Sequence, residues 1–350
     1  MSPQAQAIID SDIARILERE LPWQDLNGST VILSGASGFL AAYMLETLAA
    51  LNARGASMRL IGLVRNLDKA QQRLGHLCAD GVELLRQDIA NPLRSDLPRA
   101  DFIIHAASQA SPKYYGTDPV GTIEANTTGT QQLLRHAQAS GSQAFLFFSS
   151  GEIYGRPADP GQALSETDCG YLDPATLRAC YAESKRLGET LCVSWHHQHG
   201  VPARIVRPFH SYGPGMDLND GRVFADFVAD VVVGRKIVLK SEGLALRPFC
   251  YISDATAGFF TVLLKGESGQ AYNVANPDAE ISMRDLAQTL VDLFPERRLG
   301  IRFDIPRSSN AYLQSAVSRA CPSIAKIERL GWRPEIGIVE GFKRTIQSYL

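Results

Sequence analysis

The chain has 350 residues, of which 45% are apolar and 21% are charged, and its formal net charge is −2. This length is sufficient for one large domain or for a large domain with a smaller one. Because the charge is nearly balanced and no basic stripe occurs, we expect no nucleic-acid partner and no membrane-surface partner. No apolar stretch approaches the length that spans a bilayer, so we expect no membrane segment.

The N-terminus lacks a basic segment followed by an apolar run, so a secretory signal is not indicated. Six cysteines are scattered along the chain without a C-x-x-C pair. This pattern is typical of reduced thiols rather than of a disulfide framework or a zinc site. We therefore expect a cytoplasmic protein without a metal centre.

The first predicted element is an amphipathic helix within residues 4–20, where aliphatic side chains recur at helical spacing. The dipeptide Leu21-Pro22 ends it. We interpret residues 1–28 as a helical arm that packs against the main fold.

From Thr30 onward, buried-strand runs alternate with helical patterns such as 39–53 and 126–140. Repeated alternation of this kind indicates βαβ units and a parallel sheet covered on both faces. We predict an α/β fold, with a Rossmann-like doubly wound sheet over residues 29–207. The strand candidates are 31–34, 59–64, 82–86, 102–105, 144–149 and 203–206.

After about residue 208, glycine, proline and polar residues become denser, and short strand-like runs at 237–240 and 271–274 mix with helices. We interpret residues 208–350 as a smaller α/β lobe, mainly for substrate binding, that shares some elements with the first domain.

A glycine-rich turn follows the first predicted strand and precedes a helix. Gly35 permits the tight turn, Gly38 lets the backbone approach a pyrophosphate at the helix N-terminus, and Ala41 is small enough for helix–strand packing. This arrangement predicts a dinucleotide site. The expected contacts in the turn are Gly35, Ser37, Gly38, Phe39 and Leu40.

After the second strand in the chain, an NAD site usually has an acidic residue that binds the ribose 2′-hydroxyl. This chain has Arg65 there, which suits either the 2′-phosphate of NADP or a position over the adenine ring of NAD. The sequence leaves both open, and we take NAD as the cofactor with NADP as the alternative. Asp88 and Ile89, after the third strand, are candidate adenine contacts.

A catalytic pair is indicated by Tyr181 and Lys185, whose i, i+4 spacing places them on one face of a helix. A lysine ammonium beside a phenol is expected to lower the phenol pKa, so that Tyr181 takes a proton from a hydroxyl while hydride leaves the same carbon. Upstream, residues 144–149 form a strand that leads to Ser150, at the sheet edge where ligands bind in such folds.

Several motifs together resemble the extended short-chain dehydrogenase/reductases of the NAD-dependent epimerase/dehydratase family. They are the turn at 35–41, His105-Ala106-Ala107-Ser108, Asn126-Thr127-Thr128-Gly129-Thr130, Ser150 and the Tyr181/Lys185 pair. The resemblance implies that Ala106, Ala107, Asn126, Pro208, Tyr181 and Lys185 line the cofactor. It also implies a homodimer formed through the helix of Tyr181 and the helix that begins near Asn126.

Four stretches, 110–115, 177–186, 219–223 and 247–254, are similar to the UDP-glucuronate decarboxylases of that family. The similarity implies that Ser150 and Tyr181 bind and deprotonate the sugar 4-hydroxyl and that Lys185 holds the nicotinamide ribose. It places Glu152 beside C5 as a fourth catalytic residue. The implied substrate contacts are Ser111, Tyr115, Gly151, Arg178, His210, Arg222 for the nucleotide and Arg247 for the sugar or its carboxylate.

The chain departs from this pattern at two positions. Gly151 stands where the decarboxylases have serine and the 4,6-dehydratases aspartate, and His210 stands where these families mostly have asparagine. We expect transient C4 oxidation of a UDP-sugar, with UDP-glucuronate decarboxylation to UDP-xylose as the first hypothesis. The alternatives are a 4-epimerase, a 4,6-dehydratase or a 4-keto reductase on another nucleotide sugar, and an inactive NAD(P)-sensing scaffold.

Overall fold

The computed structural model describes residues 2–159, 161–305 and 319–350. The strands in these ranges are β1 (Thr30–Ser34), β2 (Arg59–Val64), β3 (Val82–Arg86), β4 (Phe102–His105), β5 (Ala144–Phe148), β6 (Ala203–Pro208), β7 (His210–Tyr212), β8 (Ile237–Leu239), β9 (Leu246–Tyr251), β10 (Ala271–Val274), β11 (Glu280–Ser282) and β12 (Ile301–Phe303).

The α-helices of the described ranges are α1 (Pro3–Leu17), α2 (Phe39–Ala53), α3 (Leu67–Leu74), α4 (Pro112–Thr117), α5 (Pro119–Asn126), α6 (Thr128–Ser140), α7 (Ala179–His199), α8 (Val223–Val232), α9 (Ile252–Lys265), α10 (Met283–Leu293), α11 (Ala325–Glu328) and α12 (Ile338–Gln347). The helix predicted over 126–140 is α6, which begins two residues later at Thr128 because Asn126 is the last residue of α5.

Seven parallel strands form the central sheet, in the order β10-β6-β5-β4-β1-β2-β3. Along β1, Val31 and Leu33 face a core shared with α2 and α9, whereas Ile32 faces a second core shared with α6 and α7. Both faces of the sheet are therefore covered by helices, which explains the continuous apolar runs of its strands. The predicted Rossmann-like doubly wound fold is confirmed.

The C-terminal part of the chain contributes to two layers. Its strand β10 pairs with β6 at the edge of the central sheet. A three-stranded sheet, in the order β11-β9-β7, and the pair β12-β8 lie outside the central sheet. The three-stranded sheet carries His210 at the start of β7 and Arg247 in β9, so it brings two predicted substrate contacts onto neighbouring strands.

The N-terminal helix α1 is fastened to the rest of the protein by a buried carboxylate. Asp12 is fully buried and accepts hydrogen bonds from Tyr251 Oη at 2.8 Å, Tyr43 Oη at 3.2 Å and Arg344 Nη2 at 2.6 Å. Burial raises the pKa of Asp12, and Arg344 opposes that rise. These partners come from α2, β9 and α12, so one side chain connects the arm to three distant elements.

We expect Asp12→Ala to lower the free energy of unfolding by about 3 kcal/mol, because it leaves the half-buried Arg344 and two buried phenols without their common acceptor. Urea denaturation followed by circular dichroism measures the loss. Asp10→Ala is the matched control: Asp10 lies on the exposed face of the same helix and accepts a bond from Gln6 Nε2 at 2.9 Å. Equal losses for the two variants would contradict the role of the buried carboxylate.

Candidate active site

The turn between β1 and α2 is shaped to hold a dinucleotide. Gly35 has φ +70°, and a Cβ there would lie 2.6 Å from Ala107 Cα, so the turn presses directly against the segment that follows β4. Gly38 precedes α2 without a side-chain capping bond. The first N–H groups of α2 are therefore available to an anion at the helix N-terminus, which fits the pyrophosphate of a dinucleotide.

The other predicted cofactor contacts lie at the same edge of the sheet, after the carboxyl ends of parallel strands. Arg65 follows β2 and is exposed, and the pair Asp88-Ile89 lies just beyond β3. Ala106 and Ala107 follow β4, and Pro208 ends β6. The structure thus brings these residues to the edge that carries the glycine turn.

Asn126 lies at the end of α5 and is wholly buried. Its Nδ2 donates to Ser184 Oγ at 2.9 Å, which links α5 to α7. Within the part of the chain that the structure describes, its Oδ1 has no hydrogen-bond partner. A buried amide oxygen of this kind is able to accept a bond from a bound group, so the predicted cofactor contact remains a prediction with a suitable atom in place.

Tyr181 and Lys185 lie on the buried face of α7, as their spacing predicts. The Tyr181 ring stacks on Tyr115, with centroids 5.2 Å apart and planes inclined by 19°. Its hydroxyl interacts with the Ser150 side chain through a hydrogen bond. Lys185 Nζ donates to the Phe148 carbonyl at 2.6 Å and lies 5.9 Å from the Tyr181 ring centroid.

The expected lowering of the Tyr181 pKa by Lys185 is wrong for the protein chain by itself. Burial raises the pKa of Tyr181 to about 12, Glu152 adds to the rise, and the hydrogen bond with Ser150 opposes it. Burial also lowers the pKa of Lys185 to about 7. The ammonium is held by a backbone carbonyl, and burial of the phenol outweighs the favourable charges near it.

Two arginines, Arg178 and Arg247, neighbour the carboxylate of Glu152, which lies in the 3₁₀ helix Gly151–Tyr154 that follows β5. Arg178 Nη2, at the start of α7, lies 3.4 Å from Glu152 Oε2. Burial lowers the pKa of Arg247 while Glu152 raises it, so these two groups are also electrostatic neighbours. Arg222 precedes α8, and its charge opposes the rise in the pKa of the Tyr115 and Tyr181 phenols. This end of the site is therefore rich in positive charge.

Two predicted substrate contacts have their hydroxyl groups engaged by the chain itself. Ser111 Oγ donates to the Asp220 carbonyl, and Tyr115 Oη donates to the Ala110 carbonyl at 3.1 Å. Tyr115 is also fully buried behind Tyr181. Contact of these residues with a substrate stays a prediction, and their observed roles are to fasten the segment around α4.

Gly151 has a steric reason to lack a side chain. A Cβ at this position would lie 2.8 Å from the ring of Phe209, which stacks on Tyr154. A serine or aspartate would therefore require that ring to move. The sequence showed that Gly151 departs from the family pattern. It contained no signal for the Phe209 ring, which fills the space that a side chain at residue 151 would occupy.

Arg73 is a residue that the sequence did not reveal. Its guanidinium donates to the Ser37 carbonyl at 3.2 Å and to the Gly215 carbonyl at 3.0 Å. Arg73 thereby joins the glycine turn between β1 and α2 to the loop that leads to Arg222. Arg73 lies on a short amphipathic helix, where an arginine ordinarily faces water, so its sequence context is indistinguishable from that of a surface residue.

Over residues 2–159, 161–305 and 319–350, no group of three or more His, Cys, Asp or Glu side chains is arranged to hold a metal ion. In the same ranges, no helix combines the length and the apolarity needed to cross a bilayer.

The family model of the NAD dependent epimerase/dehydratase family matches residues 31–275. The chain therefore belongs to this family, and it is an NAD-dependent enzyme of that class. Of the two cofactors that Arg65 left open, the family indicates NAD.

Relatives agree with this assignment, and solved structures share the fold. UDP-glucuronic acid decarboxylase 5 of Arabidopsis thaliana is 33% identical over 89% of this chain and 86% of its own length. UDP-glucuronic acid decarboxylase 1 of Danio rerio is 31% identical over 91% of this chain and 72% of its own. The fold is also that of UDP-glucuronic acid 4-epimerase from Bacillus cereus, with a TM-score of 0.78 and 20% identity over 91% of this chain and 98% of that one. The dTDP-glucose 4,6-dehydratase DesIV of Streptomyces venezuelae has a TM-score of 0.76 and 24% identity, over 91% and 96%.

We expect Gly35→Ala to reduce the NAD that copurifies with the protein by roughly tenfold or more, which corresponds to ~1.4 kcal/mol or more of binding free energy. The reason is the collision with Ala107 combined with the left-handed backbone. Gly28→Ala is the matched control, since Gly28 also has φ +70° but has no atom within 4 Å of the added Cβ. Chromatography of the extracted cofactor provides the measurement. If both variants lost NAD equally, backbone strain rather than the close approach would be responsible.

Proposed function

We propose that the protein decarboxylates UDP-glucuronate, releasing carbon dioxide and forming UDP-xylose. The observation that carries this proposal is a cluster of three arginines: Arg178 and Arg247 neighbour Glu152, and Arg222 and Arg247 both act on His210. Guanidinium groups in this arrangement suit a ligand that has both a diphosphate and a sugar carboxylate. The decarboxylase relatives, at 30–34% identity, support the same substrate.

The glycine turn, with Ser37, Phe39 and Leu40, would hold the pyrophosphate of NAD, and Lys185 would hold the nicotinamide ribose. Bound there, NAD would supply the hydride acceptor for sugar C4 and, after the loss of carbon dioxide, the hydride donor. Asn126 Oδ1, which is buried and lacks a partner in the described residues, supports a role in holding the cofactor.

Tyr181 and Ser150 would act on the 4-hydroxyl. In its phenolate form Tyr181 would accept the hydroxyl proton on Oη, and the hydrogen bond with Ser150 would orient Oη toward that oxygen. The resulting 4-ketone is β to the C5 carboxylate, so the C5–carboxyl bond breaks with its electron pair left on C5. A proton then replaces the carboxylate at C5, and Tyr181 returns its proton to the C4 oxygen.

Glu152 and Arg247 would act at the carboxyl group. Arg247 would bind the carboxylate as the substrate enters. Glu152 would take part in transferring the proton that C5 receives. The contact between Glu152 and Arg178 keeps this carboxylate oriented without neutralising the whole arginine cluster.

We also infer a cytoplasmic homodimer. Exposed apolar side chains on α5 and α7, namely those of Val120, Ile123, Leu187 and Val193, support a helical interface between two copies. The six cysteines are all free thiols, which suits a reducing compartment.

The direct test is to incubate the purified protein with UDP-glucuronate, without added cofactor, and to follow the sugar nucleotide by proton NMR. We expect UDP-xylose, because the hydride is returned to the same molecule. Tyr181→Phe should retain NAD and turn over about 10²- to 10⁴-fold more slowly, the usual contribution of a positioned acid–base group. UDP-galacturonate as the product would identify a 4-epimerase instead. An unchanged spectrum with NAD-loaded protein would refute decarboxylation of this substrate.

Glu152→Gln tests the carboxyl end of the site. We expect C4 oxidation to proceed and the later proton transfer to fail, so that reduced cofactor accumulates and is seen by its absorbance. Glu183→Gln is the control, because Glu183 lies on α7 with only an ion pair to Arg186 at 3.3 Å among its described contacts. Full activity of Glu152→Gln, without reduced cofactor, would remove Glu152 from the mechanism.

A further inference from the structure

His210 has a buried ring nitrogen without a hydrogen bond. The residue begins β7, opposite Phe249 of β9, and its ring lies 5.8 Å from the Phe249 ring and 6.5 Å from the Phe224 ring. The side chain is half-buried, and the enclosed atom is Nδ1, which has no partner within the described residues. Leaving a buried polar atom unpaired costs free energy, so its position calls for a physical reason.

Burial and two nearby arginines keep the His210 imidazole neutral. Burial lowers the pKa of His210 to about 3, and Arg247 of β9 and Arg222 at the start of α8 contribute to the same shift. A neutral imidazole carries one N–H. On the enclosed Nδ1 that N–H would have no acceptor, and buried N–H groups without acceptors are rare. The proton therefore belongs on Nε2, the nitrogen on the open side of the ring.

We propose that His210 binds the nucleotide sugar by donating its Nε2–H to an anionic oxygen of the ligand, in the region where Arg222 and Arg247 also act. This inference rests on the proposed function in that the site must take a nucleotide sugar. The Nε2–H of His210 offers the ligand a directed hydrogen bond beside the charges of Arg222 and Arg247. The neutral ring adds no third charge. The oxygen comes either from the diphosphate or from the sugar carboxylate.

Histidine differs here from the asparagine that the resemblance led us to expect. A carboxamide offers a donor and an acceptor in one plane and can turn either way. The Nε2–H form of His210 offers only a donor to the open side, and the packing against Phe249 and Phe224 limits its rotation. The site thus favours an acceptor-only group, such as a phosphate or carboxylate oxygen, over a hydroxyl.

The tautomer is tested on the wild-type protein, independently of any reaction. The chain has seven histidines, so ¹⁵N-histidine labelling and subtraction of the His210→Asn spectrum identify the ring signals. We expect a neutral Nε2–H ring at mildly acidic pH. A protonated imidazolium, or a proton on Nδ1, would overturn the proposal.

Binding is tested by calorimetry with UDP, UDP-glucose and UDP-glucuronate. His210→Phe keeps a ring but removes the donor, and we expect affinity to fall about tenfold or more for the ligands that supply the oxygen. His210→Asn, which restores a donor, should recover part of the loss. His197→Phe, at an exposed position in the last turn of α7, is the matched control and should bind as the wild type does.

The ligand series separates the two sources of the oxygen. Weaker binding of all three ligands would assign the contact to the diphosphate, whereas a loss confined to UDP-glucuronate would assign it to the carboxylate. Unchanged binding of all three to His210→Phe would overturn the proposal. Because binding is measured directly, a wild-type protein that binds UDP but forms no UDP-xylose would refute the proposed reaction and leave the His210 test intact.

Discussion

The hydrogen bond from the buried Lys185 ammonium to the Phe148 carbonyl is the interaction on which the arrangement of the site depends. It joins α7 to Phe148, the last residue of strand β5 in the seven-stranded sheet. Burial of an amine is costly unless a strong acceptor compensates, so the lysine is confined to one position beside the strand end. Tyr181, one turn earlier on the same helix, is thereby set beside Ser150, and the stacked Tyr115 closes the ring from behind.

The two ends of the site differ in electrostatic character. Tyr181 is deeply buried, which disfavours a charged phenol and raises its pKa. Glu152 has Arg178 and Arg247 as neighbours, and Arg222, in the segment before α8, acts together with Arg247 on His210, so this region is positive. A ligand with charge at one end and hydroxyl groups at the other would therefore be oriented before any chemistry begins. His210 lies in the positive region but contributes polarity without charge.

The sequence predicted the features that depend on local pattern. Continuous apolar runs identified the strands of the central sheet, and the glycines at 35 and 38 identified the turn, because both signals lie within a few neighbouring residues. It could not predict contacts set by the tertiary fold, such as Phe209 over Gly151 or the bridge that Arg73 forms between Ser37 and Gly215. The error about the Tyr181 pKa has the same origin, since spacing along a helix reveals a neighbouring lysine but not the depth of burial.

The cluster around Asp12 has a consequence for the order in which the chain assembles. Asp12 is made 239 residues before Tyr251 and 332 residues before Arg344. Helix α1 therefore has no complete docking surface until Arg344 has left the ribosome. Contacts between segments so distant in sequence form late, after the loops between them have closed. Helix α1, which precedes the other described helices in the chain, is thus among the last of them to find its place.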